Sequence, residues 1–285
     1  MIEVSIAATV FYLLLVVGTN VSIADFKLII AHPTAITSVT LVHLIVVPAI
    51  VSGIVWVIPL DAWIASGMIL IAASPTGAVS NYYVTLARGN AAISVALCGI
   101  TSLLAFLTAP LICWLIGKLL LIETLGAVPL ASMVGQTIPT VLLPAILGIG
   151  IRHFYPAWTL KHQHAMERLS FVAVVVLIVV VLASQYDFLT LQIVTSAVVM
   201  AVIFTIVLSA LGWAAARLTT PALGEPQRSA ILFGFPARNL GLAALLAANV
   251  FGMIEMATFG VVFFVVQIFF LLPLATALRH RASSS

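Results

Sequence analysis

Charged residues are scarce in this sequence. They make up 7% of its 285 residues, whereas hydrophobic residues make up 64%. A soluble domain has about 25% charged and 45–50% apolar residues, so this chain has too little polar surface for water and its solvent must be lipid. A segment that crosses lipid must be a helix or part of a closed barrel. The apolar runs, such as residues 171–184, lack the alternation of barrel strands and therefore predict helices.

Catalytic and cofactor motifs are also lacking. The sequence has no His-Glu-x-x-His, no Gly-x-Ser-Gly and no paired intramembrane aspartates, which excludes the common metal, serine and aspartyl enzymes. It has no nucleotide-binding loop. The two cysteines, Cys98 and Cys113, lie in apolar segments without the spacing of a metal site or a disulfide framework. The scattered net charge of +3 does not indicate a nucleic-acid partner. We expect neither an enzyme nor a bound cofactor or metal.

About nine apolar runs have the roughly 20 residues needed to cross a bilayer. The predicted spans lie at residues 3–23, 33–58, 62–86, 90–116, 128–151, 168–184, 188–215, 227–249 and 255–278. The sequence therefore predicts an all-α integral membrane protein.

Loop charges orient these spans, because Lys and Arg concentrate on the cytoplasmic side. With the N-terminus outside, the inside receives Lys27, Arg88, Arg152, Lys161, Arg168, Arg217, Arg228, Arg279 and Arg281, and the outside receives Lys118. The outside also collects Glu3, Asp61, Glu123, Asp187 and Glu255. We predict a cell (inner or plasma) membrane protein whose C-terminus is cytoplasmic. Arg238 belongs to neither side, because it lies in the middle of a span.

Two spans carry helix-breaking residues at their centres. Residues 73–81 contain Pro75, and residues 234–241 contain Pro236. Paired interruptions in corresponding positions of two halves are a sequence sign of a transporter's midplane binding site, in an inverted-repeat arrangement. The alternative is an ordinary kink, since proline and glycine are common in membrane helices. The N-termini of the half-helices would favour an anion.

The stretch Ser74-Pro75-Thr76-Gly77-Ala78-Val79-Ser80-Asn81, with residues 85–90 and 94–95, resembles the signature of the bile acid:sodium symporter family. Asn239-x-Gly241-Leu242-Ala243 resembles its second signature. The resemblance implies that spans three and eight cross at their unwound centres. It implies panel helices at residues 1–24 and 118–184, and a core domain at residues 25–117 and 185–285. It also implies transport of organic anions, usually with Na⁺.

The sequence departs from this family at its sodium sites. Ser80, Asn81 and Ser94 stand at positions that the resemblance assigns to sodium ligands, and they are retained. Four positions differ. Cys98 replaces a threonine, Gly234 an acidic residue, and Arg238 and His43 each a glutamine. Two unit cations 4 Å apart repel by roughly 4 kcal/mol at an effective dielectric of 20, so Arg238 argues against sodium at that site.

Arg238 and His43 each have two interpretations. Arg238 either binds the transported anion or satisfies the carbonyls of a broken helix. His43 either hydrogen-bonds a neighbour or carries a coupling proton. The predicted substrate-binding residues are Arg238, Asn239, Asn81, His43, Pro75 and Pro236. The residual ion-binding positions are Ser80, Asn81, Ser94, Cys98, Gly234, Arg238 and His43.

The sequence predicts a secondary transporter that moves a small organic anion across the bilayer by alternating access. A single arginine in an apolar cavity favours a carboxylate or sulfonate with an apolar body, such as a steroid acid, a keto acid or a vitamin precursor. The alternative is a sodium- or proton-coupled symporter that uses Ser80, Asn81 and Ser94. A cation/proton antiporter would need acidic residues at the midplane, and here the acids lie at span ends or in loops. A non-transporting sensor is a further alternative.

Overall fold

The computed structural model describes residues 2–21, 33–218 and 223–284. Nearly all of these residues are helical, and the extended backbone among them is an isolated antiparallel bridge between Thr76 and Arg238. The predicted all-α membrane fold is confirmed. Lys27 lies outside the described residues, as do the side chains of Glu3 and Arg281, so their placement stays a prediction.

The helices are numbered by span. They are α1 Ile2–Asn20; α2 Pro33–Leu41, a π-helical turn Val42–Val46 and Val47–Val57; α3a Ala62–Ala73 and α3b Val79–Leu86; α4 Ala91–Leu119; α5 Leu130–Thr137, a π-helical turn Ile138–Leu142 and Leu143–Phe154; α6 Pro156–Ser184; α7 Leu191–Leu218; α8a Glu225–Gly234 and α8b Leu240–Leu245 with a π-helical turn Leu246–Val250; and α9 Glu255–Ser284. A short helix, Glu123–Gly126, joins α4 to α5.

Six of these helices are long and apolar enough to cross a membrane. They lie in α2, α4, α5, α6, α7 and α9. The apolar helices in α1, α3 and α8 are shorter. In α3 and α8 the reason is the predicted interruption, which divides each span into two pieces. Within the described residues, the helices therefore follow the nine predicted segments.

Helix α6 begins earlier than predicted. The apolar run suggested a span at residues 168–184, whereas the helix begins at Pro156. Proline is favoured in the first turn of a helix, where its missing N–H costs nothing. Lys161 and Arg168 then continue the helix, because long charged side chains are good helix formers. Hydropathy reports affinity for lipid, so its boundary need not coincide with the start of the helix.

The helix α1 packs against α5 and α6. Two glycines allow the close approach to α5. A Cβ atom at Gly18 would lie 2.2 Å from the Ala145 carbonyl oxygen, and one at Gly148 would lie 2.1 Å from the Leu15 carbonyl oxygen. Small residues of this kind bring membrane helices into backbone contact.

A second group of helices surrounds the two interrupted spans. Helix α9 packs against α3a and α7, and α8a packs against α7 and α4. These contacts are equally close, since a Cβ atom at Gly212 of α7 would lie 2.5 Å from the Leu232 carbonyl oxygen. The division of the chain into core and panel domains stays a prediction.

Candidate site at the crossing of two broken helices

Two unwound segments meet in the interior. The first joins α3a to α3b at residues 74–78, and the second joins α8a to α8b at residues 235–239. The Gly77 amide donates to the Ala237 carbonyl at 2.7 Å, and the Asn239 amide donates to the Pro75 carbonyl at 3.0 Å. Backbone groups freed by the breaks thus pair with each other. This pairing satisfies the requirement that buried backbone polar groups in lipid find partners inside the protein.

Gly77 permits this close pairing. A Cβ atom at this position would lie 2.6 Å from the Arg238 carbonyl oxygen, a distance that real Cβ contacts do not show. The obstructing atom belongs to the backbone, so no side-chain rotation could relieve the contact. The crossing therefore requires glycine at this position.

Thr76 anchors the first segment to its neighbours. Its hydroxyl donates to the Gly234 carbonyl at 3.0 Å, and its amide donates to the Thr101 hydroxyl of α4 at 3.2 Å. The Cys98 thiol, also on α4, donates to the Thr76 carbonyl at 3.3 Å. The polar groups of Thr76 are therefore all used in holding the break.

Arg238 extends from the second segment into the first. Its Nη1 donates to the Ser74 carbonyl at 2.8 Å and also contacts Nε2 of His43 in α2. Ser74 follows the last residue of α3a, where the helix dipole places partial negative charge that suits a guanidinium. The arginine is 1% exposed, which makes it one of the largest fully buried side chains.

The remaining edge of this guanidinium has no partner. The Nε and Nη2 atoms of Arg238 are buried and form no hydrogen bond within the described part of the chain. No described carboxylate forms an ion pair with Arg238; the described pairs are Arg228 with Glu225 and His164 with Glu167. A buried positive charge thus lies at the crossing without a described counter-charge.

The structure brings Ser80, Asn81 and Ser94 together. The Ser94 hydroxyl donates to Asn81 Oδ1 at 2.6 Å, and the Ser80 and Ser94 hydroxyls are 3.3 Å apart. Cys98 belongs to the neighbouring contact at Thr76. Gly234 lies buried opposite the Thr76 hydroxyl, and a Cβ atom there would make only ordinary contacts of 3.7 Å. The position thus has space for the Cβ atom of an acidic residue, but its glycine supplies no carboxylate.

Asn239 caps α8b, because its Oδ1 accepts from the Leu242 amide at 3.1 Å. It is half-buried, like Asn81, whereas the other predicted substrate-binding residues are buried. The buried ones are Arg238, His43, Pro75 and Pro236. The crossing thus has an accessible part with two amides and an interior part with the guanidinium and the imidazole.

Two cavities flank the crossing. The inner cavity has an empty volume of about 200 Å³ and is lined by residues that include Thr40, His43, Thr76, Thr101, Gly234 and Phe235. The α1 cavity has an empty volume of about 180 Å³ and is lined by Val17, Asn20, Val21, Ala78, Asn81, Val95 and Cys98. These volumes include space that is open to solvent, and the enclosed part of each cavity admits at most a water-sized group.

Sequence reasoning did not single out Thr40, Thr76 or Thr101. A signal for Thr101 was present: Ser94, Cys98 and Thr101 are spaced four and three residues apart and therefore share one face of a helix. Thr40 lies three residues before His43 and shares its face in the same way. Thr76 had no comparable signal, because its hydroxyl donates to a backbone carbonyl 158 residues further along the chain.

A sequence profile described as the sodium bile acid symporter family matches residues 7–192. The chain belongs to the sodium bile acid symporter family. It is thus a multi-pass membrane transporter and not an enzyme. The matched region includes the first unwound segment and ends before the second, so Gly234 and Arg238 lie outside it.

Three curated relatives agree with this family. The uncharacterized sodium-dependent transporter YocS of Bacillus subtilis (strain 168) is 28% identical over 236 residues, covering 81% of this chain and 69% of the relative. The probable sodium/metabolite cotransporters BASS2 and BASS1 of Oryza sativa subsp. japonica, both chloroplastic, are 28% and 30% identical over 52% and 48% of this chain. The aligned part is about a third of each rice protein, at 34% and 32%.

Proposed function

We propose that this protein is a secondary transporter of small organic anions that works by alternating access, with Arg238 as the fixed positive charge of its site. The observation that carries this proposal is the buried guanidinium at the crossing, in which two nitrogen atoms have no hydrogen-bond partner and which has no carboxylate partner among the described residues. An intramembrane charge is expensive and by default marks a functional site. An anion is the ligand that would balance it.

The same charge opposes a sodium ion beside it. At 4 Å the repulsion is roughly 4 kcal/mol for an effective dielectric of 20, equivalent to about three decades in affinity. The position four residues earlier, Gly234, supplies no carboxylate to offset this repulsion. Arg238 therefore takes the place of a bound cation, and transport proceeds without sodium at that position.

Flux into proteoliposomes tests the proposal. A panel of labelled steroid acids, keto acids and other small carboxylates and sulfonates is offered with sodium, potassium or choline outside, at two pH values. We expect saturable uptake of at least one anion in all three cation solutions. Uptake of none of these anions, or uptake that strictly requires sodium, would contradict the proposal.

Two substitutions of Arg238 separate charge from shape. Arg238→Gln should reduce substrate affinity by at least tenfold, since hydrogen bonds to charged groups contribute about 1.5–3 kcal/mol. Arg238→Lys should retain part of the affinity, because lysine keeps the charge and loses the planar fork. The control is Arg217→Gln, which removes an exposed guanidinium stacked on Trp213, away from the crossing. Normal affinity in both Arg238 variants would contradict anion binding.

A sodium-coupled symporter is the second candidate. It is favoured by the cluster of Ser80, Asn81 and Ser94 oxygens and by the relatives, which are named as sodium-dependent transporters or sodium/metabolite cotransporters. The double variant Gly234→Glu/Arg238→Gln supplies a carboxylate and removes the competing charge. If Arg238 replaces sodium, the double variant should gain sodium dependence that the wild type lacks. A wild type with the same sodium dependence would favour the second candidate.

We also propose that the protein lies in the cell (inner or plasma) membrane, with its N-terminus outside and its C-terminus cytoplasmic. Support comes from the charged residues between the predicted spans, with Lys161 on the expected inner side and Glu123 on the expected outer side, both of them exposed. The native cysteines are buried, so single cysteines introduced at these positions would report accessibility over a low background. An impermeant thiol reagent on intact cells should label Glu123→Cys and not Lys161→Cys.

A further inference from the structure

The side chain of His43 reaches the crossing from a helix that is not itself broken open. It lies in the π-helical turn Val42–Val46 of α2, is 3% exposed, and brings its Nε2 atom against Nη1 of Arg238. The two residues are 195 positions apart, so the fold and not the local sequence brings them together. The contact joins α2 to both unwound segments, because the same Nη1 atom donates to the Ser74 carbonyl.

The chemistry of the guanidinium fixes the direction of this hydrogen bond. A guanidinium has five N–H donors and no acceptor, so Nε2 of His43 must accept from Arg238. The Ser74 carbonyl lies 3.4 Å from Nε2 and 2.8 Å from Nη1. If Nε2 carried a proton for that carbonyl, it would be a donor in contact with the donor Nη1. The ring proton therefore lies on Nδ1, and the ring is neutral.

Packing holds the imidazole ring in this orientation. The ring contacts Phe235 edge-on, with the ring centroids 5.6 Å apart and the planes at 62°. Phe235 is the first residue of the second unwound segment and is fully buried. Nη1 of Arg238 is thus held from two sides, by the ring and by the Ser74 carbonyl, and the guanidinium cannot turn without losing both contacts. Its Nε and Nη2 atoms are the ones left without a partner among the described residues.

We infer that His43 is a positioning residue, a neutral ring protonated on Nδ1 whose Nε2 accepts from Arg238 and fixes the guanidinium with Nε and Nη2 available to a ligand. The inference rests on the proposed function for the nature of that ligand. It decides between the two interpretations of His43 that the sequence allows. A ring protonated on both nitrogens has no acceptor for Arg238. His43 therefore hydrogen-bonds its neighbour and does not carry a coupling proton.

Solid-state NMR of the protein in lipid bilayers tests the ring directly and does not depend on transport. With ring-labelled histidine, the signals of His43 are identified as those missing from the spectrum of His43→Gln. We expect a protonated Nδ1 and an unprotonated Nε2 at neutral pH, which nitrogen chemical shifts distinguish from the other two protonation states. A proton on Nε2, with or without one on Nδ1, would overturn the inference.

Two substitutions separate accepting a hydrogen bond from carrying a proton. His43→Leu removes the acceptor and should raise the KM of anion uptake by roughly tenfold, the scale of one hydrogen bond to a charged group. His43→Gln has an acceptor oxygen but cannot carry a proton, and it should recover most of the lost affinity. The control is His164→Leu, which changes an exposed histidine of α6 and should behave as the wild type.

The outcomes of this comparison are distinct. Equal loss of affinity in His43→Leu and His43→Gln would overturn the positioning role. Uptake that an imposed pH gradient drives in the wild type and not in His43→Gln would assign a proton to the ring and would also overturn it. If no organic anion is transported at all, the proposed function fails, and the NMR spectrum still decides the state of the ring.

Discussion

The two unwound segments are similar in sequence pattern and differ in how they are held. Each has proline as its second residue, Pro75 in the first and Pro236 in the second. The second segment is completed locally, because the Asn239 side chain caps α8b. The first has no side-chain cap at Ala78 and depends on groups from elsewhere in the chain.

Those groups come from two neighbouring elements, α4 and the second unwound segment. The Thr101 hydroxyl accepts from the Thr76 amide, the Cys98 thiol donates to the Thr76 carbonyl, and the Arg238 guanidinium donates to the Ser74 carbonyl. The first segment thus supplies mainly backbone acceptors, and the second supplies the charge. The two broken helices are therefore held in different ways, so substitutions in the two breaks should have different costs.

The crossing itself should be the most sensitive point of this comparison. Gly77→Ala places a Cβ atom against the Arg238 carbonyl, which cannot move without separating the two segments. We expect a loss of about 3 kcal/mol in the free energy of unfolding, at the upper end for an overpacked interior. Denaturant titration in micelles measures it. The control is Gly135→Ala, because a Cβ atom at Gly135 in α5 has no neighbour within 4 Å. Equal stability of the two variants would show that the segments do not pair as described.

Sequence reasoning predicted the breaks better than their contents. Pro75 and Pro236 mark both positions, since proline removes a helix hydrogen bond whatever the tertiary surroundings. The predicted start of α6 at residue 168 was wrong by about three turns, since the helix begins at Pro156. Hydropathy reports affinity for lipid rather than helix formation. That Arg238 is buried follows from its position in a span. The contacts of its Nη1 with Ser74 and His43 could not be predicted from the sequence, because they depend on tertiary packing.

The next largest loss of stability is expected where α4 holds the first unwound segment. Thr101→Val preserves the shape of the side chain and leaves the Thr76 amide buried without an acceptor. We expect a loss of about 2 kcal/mol, the cost of an unsatisfied buried donor. The same titration measures it. Thr108→Val, on the exposed part of α4, is the matched control, since its hydroxyl bonds only within the helix. A loss no greater than that of the control would show that the first segment does not depend on α4.

The local cap of the second break should matter less. Asn239→Ala removes the acceptor for the Leu242 amide, and loss of an N-cap costs about 1 kcal/mol. Asn239→Ser keeps a side-chain oxygen at the cap and should recover most of the stability. Both are compared with Thr101→Val under identical conditions. If Asn239→Ala were the more damaging variant, the second break would be the one that depends on its surroundings, and the asymmetry described above would be reversed.

The smallest effect is expected at Cys98. The resemblance to the family assigns a threonine hydroxyl to this position, and this protein has a thiol instead. Cys98→Thr keeps a donor for the Thr76 carbonyl, and threonine is close to cysteine in size. The free energy of unfolding should change by no more than about 0.5 kcal/mol, as for substitutions that keep their packing and partners. Restoring one oxygen should also leave the protein insensitive to sodium, because Gly234 still supplies no carboxylate and Arg238 still supplies a positive charge. Thermal unfolding of Cys98→Thr in sodium and in potassium chloride measures this directly. A higher midpoint in sodium for the variant alone would mean that the thiol, and not the guanidinium, is what excludes the cation.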